Sequence, residues 1–242
     1  MSCLMPMNPI ASPLSDRPWS SIDRDGFQIA PAFLSPLKIE ALCSALNRFE
    51  VAPGHRDLMR RIPAVADLAV SSDVLNFLGN LLGTEPFPVR SIFFDKTPEA
   101  NWLVPWHQDL SIAVDRRLDL PGYGPWSIKE GVVHVQPPLE ILESMITLRI
   151  HLDDCDESNG ALRVIAGSHR LRRLSAAQIS EARVQANEVM CSVRAGDALL
   201  MRPLLLHASS AAQVPSHRRV IHLEYATCPL AEGLKWAETS NT

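Results

Sequence analysis

The 242-residue chain is 46% hydrophobic and 21% charged, with a formal net charge of −4, a composition that supports a buried core, argues against wholesale disorder and gives no footing for nucleic-acid binding. Its five cysteines are odd in number and lack C-x-x-C spacing, which points to reduced thiols in a cytoplasmic protein. The first twenty residues show no basic-then-apolar leader, and no run approaches the roughly 18 apolar residues a membrane span requires, so neither a secretory signal nor a membrane partner is expected.

Residues 1–20 are rich in Pro and Ser and are expected to be loosely held. Ser35-Pro36 starts a helix as N-cap and first-turn proline, with Leu37, Ala41, Leu42, Ala45, Leu46 and Phe49 forming its apolar face. A second helix begins near Ser72, buries Val74, Leu75, Leu78, Leu81 and Leu82, and ends at Gly83. From Phe87 the pattern turns to strands, first Val89 to Lys96 and then the segment around His107. Residues 145–152 alternate: Ile146, Leu148, Ile150 and Leu152 on one face; Met145, Thr147, Arg149 and His151 on the other. Ala161 to Ile165 is a short strand, and Ser175-x-x-Gln178 is a capping box for an exposed helix. Strands are expected at 188–193, 198–207 and 219–226, with a tight turn at Gly196-Asp197. Helical buttresses ahead of many short strands indicate a mainly β fold with a double-sheet, jelly-roll core. The expected organisation is one domain over 21–230, including an insert at 111–144, and a C-terminal tail at 231–242.

His107 and Asp109 lie two apart, so in an extended segment both side chains reach the same face. His207, at the end of the apolar run from Ala198, supplies a third ligand where a strand leaves the core. Two histidines and a carboxylate with open positions opposite form the ligand set of non-haem Fe(II) oxygenases. Eleven residues beyond His207 stands Arg218, whose guanidinium can grip a carboxylate with two parallel hydrogen bonds. Its neighbour Arg219 points to the opposite strand face, and periodicity alone does not choose between the two.

The segments His107-Gln108-Asp109-Leu110, Ser158-Asn159-Gly160-Ala161-Leu162-Arg163-Val164-Ile165-Ala166-Gly167-Ser168-His169 and His207-Ala208-Ser209, together with Arg218, resemble the phytanoyl-CoA dioxygenase family. The likeness runs over roughly residues 20–228. It implies an Fe(II)- and 2-oxoglutarate-dependent oxygenase with a double-stranded β-helix core. It also implies that His107, Asp109 and His207 hold iron and that Arg218, assisted by Ser209, binds the distal carboxylate of 2-oxoglutarate. Dioxygen is the further reagent, succinate the co-product, and hydroxylation of a small molecule the default outcome. Desaturation, cyclisation, epimerisation and acyl-CoA hydroxylation are alternatives within that chemistry. A barrel-type metal hydrolase or isomerase without 2-oxoglutarate is the alternative outside it.

Arg149 departs from the family pattern, standing where many relatives carry Trp beside the co-substrate. It is either a carboxylate-binding residue or the salt-bridge partner of Asp153 or Asp154. Arg90 lies upstream near a family co-substrate position. Gln108 should point away from the metal, and His169 reads as framework. For acyl-CoA, Arg56/Arg60/Arg61 or Arg170/Arg172/Arg173 are the candidate phosphate patches. The insert carries Tyr123, Trp126, His134 and Gln136, which either cover the mouth and line a substrate pocket or pack a surface loop with its own aromatics. Oligomeric state is not legible in the sequence.

Overall fold

The computed structural model describes residues 20–50, 52, 54–214 and 216–239. The expectation of loose order over residues 1–20 therefore falls, except for Ser20, outside the described residues. In chain order the elements are α1 (Ser20–Asp25), β1 (Phe27–Ala30), α2 (Pro36–Leu46), β2 (His55–Arg56), α3 (Leu58–Arg61), α4 (Pro63–Ala69), α5 (Ser72–Leu82) and β3 (Phe87–Lys96). Then follow β4 (Val104–His107), β5 (Ile112–Val114), β6 (Trp126–Lys129), β7 (Val132–Val135), α6 (Leu139–Ser144) and β8 (Ile146–His151). The last are β9 (Leu162–Ile165), a 3-10 turn (Ser168–Leu171), α7 (Ala176–Gln185), β10 (Glu188–Cys191), β11 (Ala198–Met201), β12 (His207–Ser209) and β13 (Arg218–Ala226).

Six strands form the larger sheet, ordered β1-β11-β8-β13-β3-β2, and four form the smaller, ordered β10-β9-β12-β4. Every pairing is antiparallel. Together they make the expected jelly-roll core. Alternation on β8 is as the sequence predicts: Ile146, Leu148 and Ile150 face a core cluster shared with Leu42, Leu46, Val65, Leu78 and Leu81 from the helices. The opposite face of the larger sheet is apolar near β11, where Leu199 and Met201 meet Leu162 and Val164 of the smaller sheet. Farther along, that face turns polar and bounds a cavity.

The caps behave as their residues dictate. Ser35 and Ser71 accept from the backbone N–H groups of Lys38 and Val74, Gly83 ends α5 at φ 71°, and Ser175 with Gln178 closes both hydrogen bonds of the capping box. Leu37 is 76% exposed, so the buried stripe of α2 is narrower than its composition suggests. The helices α3 and α4 are additional; Tyr225, fully buried, donates its hydroxyl to the Ala69 carbonyl at 3.0 Å and fixes α4 on the larger sheet. The span Pro63–Leu82 is long and apolar enough to resemble a membrane crossing, yet it is two helices whose Val65, Leu68, Val74, Leu78 and Leu81 fill the core.

One expectation is corrected. The run 198–207 is not one strand: β11 ends at Met201, Arg202–Leu206 turns, and His207 opens β12 in the other sheet. Residues 231–239 of the C-terminal tail pack on the insert. Leu234 and Trp236 are buried against Ile112 and Val114 of the insert, and Trp236 bridges to Val114. The insert itself folds as a three-stranded sheet, β5-β7-β6, followed by α6.

Candidate metal centre

β12 lies between β4 and β9, and its first residue, His207, stands directly opposite His107. The two imidazole centroids are 4.1 Å apart. Asp109 follows the end of β4, held by its backbone N–H to the Pro203 carbonyl at 2.9 Å. Its two carboxylate oxygens lie 3.8 Å from His107 Nε2 and 3.7 Å from His207 Nε2. One ligand atom from each residue falls within 4.8 Å of the others, a spacing that a single first-row cation spans. Each Nδ1 is already engaged, His107 with the Pro105 carbonyl and His207 with the Leu205 carbonyl, both at 2.8 Å. Those carbonyls fix the tautomer and leave both Nε2 atoms as lone-pair donors toward the same point.

The protonation states suit a divalent ion. Burial lowers the His207 imidazole to about 4 against the pull of Asp109, so it is neutral near pH 7. Burial works to raise the Asp109 carboxyl, but His207 and His107 outweigh it and hold the group near 2. A neutral His207 imidazole and an ionised Asp109 carboxylate thus meet at neutral pH without either having to lose a proton. Gln108 points away, as expected. Its amide donates to the Arg172 and Leu204 carbonyls at 2.6 and 2.7 Å and accepts from Leu174 N–H at 2.8 Å, tying the ligand segment to two loops.

The three ligands sit in a cavity of about 430 Å³ between the sheets. Arg218, buried on β13, donates to the Gly160 carbonyl and lies 3.3 Å from Ser209 Oγ. Arg219 faces the other way and pairs with Asp153 at 2.6 Å, so Asp153 is unavailable to Arg149. Arg149 instead turns into the cavity, 2.8 Å from His222 Nδ1 and over the Phe94 ring at 5.6 Å. The Nε atoms of Arg149 and Arg218 are buried without a hydrogen-bond partner, an arrangement that calls for an acceptor from a bound molecule. Gly160, at φ +79°, lies so close to the Ser210 carbonyl that any Cβ would collide with it; Asn159 braces that turn through Asp156 N–H and the Asp154 carbonyl.

Arg90 does not join the Arg218 group. It is paired with buried Glu224 at 2.9 Å, six residues back along β3 from Lys96, which stands opposite Arg218. Among the insert residues, Gln136 lines the cavity. Tyr123 and Trp126 instead pack on the insert's own cluster, Tyr123 accepting from Ala231 N–H, and His134 is buried within β7, its Nδ1 on the Val132 carbonyl. The arginines near 56–61 diverge. Arg56 lines the cavity, Arg60 binds the Ala237 carbonyl and Arg61 stacks on Phe49. His169 is framework, on the Asp23 carbonyl at 3.1 Å.

Four groups escaped sequence reasoning: three line the cavity and Lys96 stands behind its Ser209. Lys96, buried, donates to Ser209 Oγ at 2.9 Å and to the Ser210 carbonyl, and burial beside Arg218 lowers its ammonium to about 7. His222 and Glu224 share strand parity with Arg218, so alternation on β13 contained them. Lys129, from the end of β6, had no signal of that kind.

The sequence profile of the phytanoyl-CoA dioxygenase (PhyH) family matches residues 22–220. The chain belongs to that family. With its His-Asp-His set it is therefore a non-haem iron, 2-oxoglutarate-dependent enzyme that uses dioxygen. No curated protein matches the chain. Solved structures share the fold at low identity. The non-haem α-ketoglutarate-dependent carbocyclase SnoK from nogalamycin biosynthesis is 17% identical with a TM-score of 0.67, covering 86% of this chain and 82% of its own. The epimerase SnoN from the same biosynthesis is 17% identical with a TM-score of 0.69, covering 89% and 81%. EctD from S. alaskensis, crystallised with 2-oxoglutarate and 5-hydroxyectoine, is 20% identical with a TM-score of 0.67, covering 93% and 79%.

Proposed function

We propose that the chain hydroxylates an unactivated C–H bond of a small molecule, converting 2-oxoglutarate to succinate in the same cycle. The observation that carries this reading is the placing of His107, Asp109 and His207 in one cavity with a buried arginine, Arg218, whose Nε lacks a protein acceptor. His107, Asp109 and His207 would hold the iron. Arg218, with Ser209 and Lys96 beside it, would take the distal carboxylate of 2-oxoglutarate by charge-assisted hydrogen bonds. Arg149 adds a second buried cation on the same side of the cavity. When bound, iron with 2-oxoglutarate and dioxygen supplies an oxidant able to remove hydrogen from carbon.

The protein's part is to keep these groups in register and limit water. Phe94, Trp102, Val104 and Leu162 line the cavity between the polar residues. Ring closure and epimerisation are the reactions named for the α-ketoglutarate-dependent SnoK and SnoN, and they are the alternative outcomes for this site. The free thiols of Cys43, Cys155, Cys191 and Cys228 support a cytoplasmic setting. The test is a small-molecule screen with Fe(II) and 2-oxoglutarate, read by substrate-dependent succinate and by product mass. A gain of one oxygen supports hydroxylation; an unchanged mass or a loss of two hydrogens overturns it in favour of epimerisation or of desaturation or ring closure. Metal-dependent turnover without succinate would move the chain to a different class of metal enzyme.

A further inference from the structure

The end of the cavity remote from Arg218 carries positive charge that neither the metal nor 2-oxoglutarate accounts for. Arg56 reaches it from β2, Arg90 from β3 and Lys129 from β6 of the insert. Their carboxylate partners are two: Glu130 on Arg56 and Glu224 on Arg90. Among the described residues the Lys129 ammonium has neither a hydrogen bond nor an ion pair, and burial together with Arg90 and Arg56 lowers it against the weaker pull of Asp109 and Glu224. Three cations against two carboxylates leave one positive charge, on Lys129, an exposed residue that lines the cavity at its insert side. The Nε atoms of Arg56 and Arg90 are buried and have no acceptor. Orphaned donors beside an uncompensated charge describe a receptor for an anion with several oxygen atoms.

The co-substrate cannot serve both ends. Arg90 pairs with Glu224 and Lys96 with Arg218 in the β3–β13 register, so the backbone positions that carry the two charged groups are six residues, about 20 Å of strand, apart. A five-carbon diacid, with bonds of about 1.5 Å, spans less than half of that. Asp109 offers its charge to the metal.

We propose that Arg56, Arg90 and Lys129 form a substrate subsite that seats a carboxylate or phosphate group, so that the enzyme's substrate is an anionic small molecule whose reacting carbon lies toward His107 and His207. This assignment rests on the oxygenase reading of the same cavity. Gln136 adds a neutral hydrogen-bonding group at the insert side. Glu130, exposed at the β6–β7 turn, competes with the substrate's anion for Arg56.

The test uses protein loaded anaerobically with Fe(II) and 2-oxoglutarate, titrated calorimetrically with benzoate, phenyl phosphate and neutral benzamide. At least one anion should bind, about tenfold or more tighter than benzamide, the worth of one charge-assisted hydrogen bond; which anion binds tighter separates carboxylate from phosphate ester. Lys129→Gln and Arg56→Gln should each weaken the anion about tenfold or more, Glu130→Gln should strengthen it, and the visible band of the Fe(II)–2-oxoglutarate complex should persist. Lys129 and Glu130 are surface-borne, so those two variants test the subsite without threatening the core. Equal binding of anion and benzamide, indifference to Lys129→Gln and Arg56→Gln, or displacement of 2-oxoglutarate by the anion overturns the subsite. Absence of the visible band in the wild type, with anion binding intact, overturns the oxygenase reading instead.

Discussion

His207 is the cross-strand partner of His107, one residue opposite the other in the β12–β4 ladder. That register, with Asp109 just past the end of β4, brings together three donors that could hold one metal ion, from residues one hundred positions apart. The Arg202–Leu206 turn is what allows it, since it carries the chain from the larger sheet to the smaller and starts β12 at the ligand.

Replacing His207 with Ala removes one of three ligands while leaving β12 its backbone pairing. We expect Fe(II) affinity to fall by about 100-fold or more, beyond the range seen when only an outer partner of a ligand is lost. Anaerobic titration with Fe(II) and 2-oxoglutarate should then show no visible charge-transfer band. Retention of that band at wild-type strength would refute the ligand assignment.

The proposed role of Arg218 on 2-oxoglutarate and the framework pairing of Arg219 with Asp153 lead to different expectations. Arg218→Ala should raise the KM for 2-oxoglutarate by about 10- to 100-fold, the loss of one or two charge-assisted bonds, with Fe(II) binding little changed. Arg219→Ala should leave that KM alone and cost about 1 kcal/mol of stability through its partly exposed pair with Asp153. Steady-state kinetics beside a denaturant titration distinguish them; the reverse pattern would exchange their roles.

Gly160→Ala should damage both the fold and the co-substrate site. The residue needs φ +79° and has no room for a Cβ beside Ser210, while its carbonyl holds Arg218 and Ser209. A stability loss of at least about 1–2 kcal/mol is expected from the left-handed backbone alone, together with a raised KM for 2-oxoglutarate. A variant of wild-type stability would show that the turn relaxes freely.

Glu238 makes docking of the C-terminal residues sensitive to pH. Its carboxylate accepts from Ser91 N–H at 2.7 Å and from the Ser91 hydroxyl, and burial raises it from 4.5 to about 7. The folded state therefore binds more protons than the unfolded chain between those values. Its contribution is full below 4.5 and is lost as pH rises through about 7. Glu238→Gln should flatten the dependence of Tm on pH between about 4.5 and 7. An unchanged slope would assign the dependence to other groups.

Much of this protein is written locally. The alternation of 146–152, the caps at Ser35, Ser71 and Ser175, and the pairing of His107 with Asp109 depend on residues a few positions apart, where helical and strand periods act directly on side-chain direction. The sequence by itself determined the candidate ligand types, the jelly-roll class and the presence of an arginine eleven residues beyond the last histidine. Only the tertiary structure decided which arginine faces inward, because that depends on which side of β13 meets the second sheet. It also decided that Arg149 turns to His222 while Arg219 takes Asp153, that Trp126 packs within the insert, and that Arg56 and Lys129 converge. Such choices follow from contacts between distant segments, whose cost and reward no local pattern records.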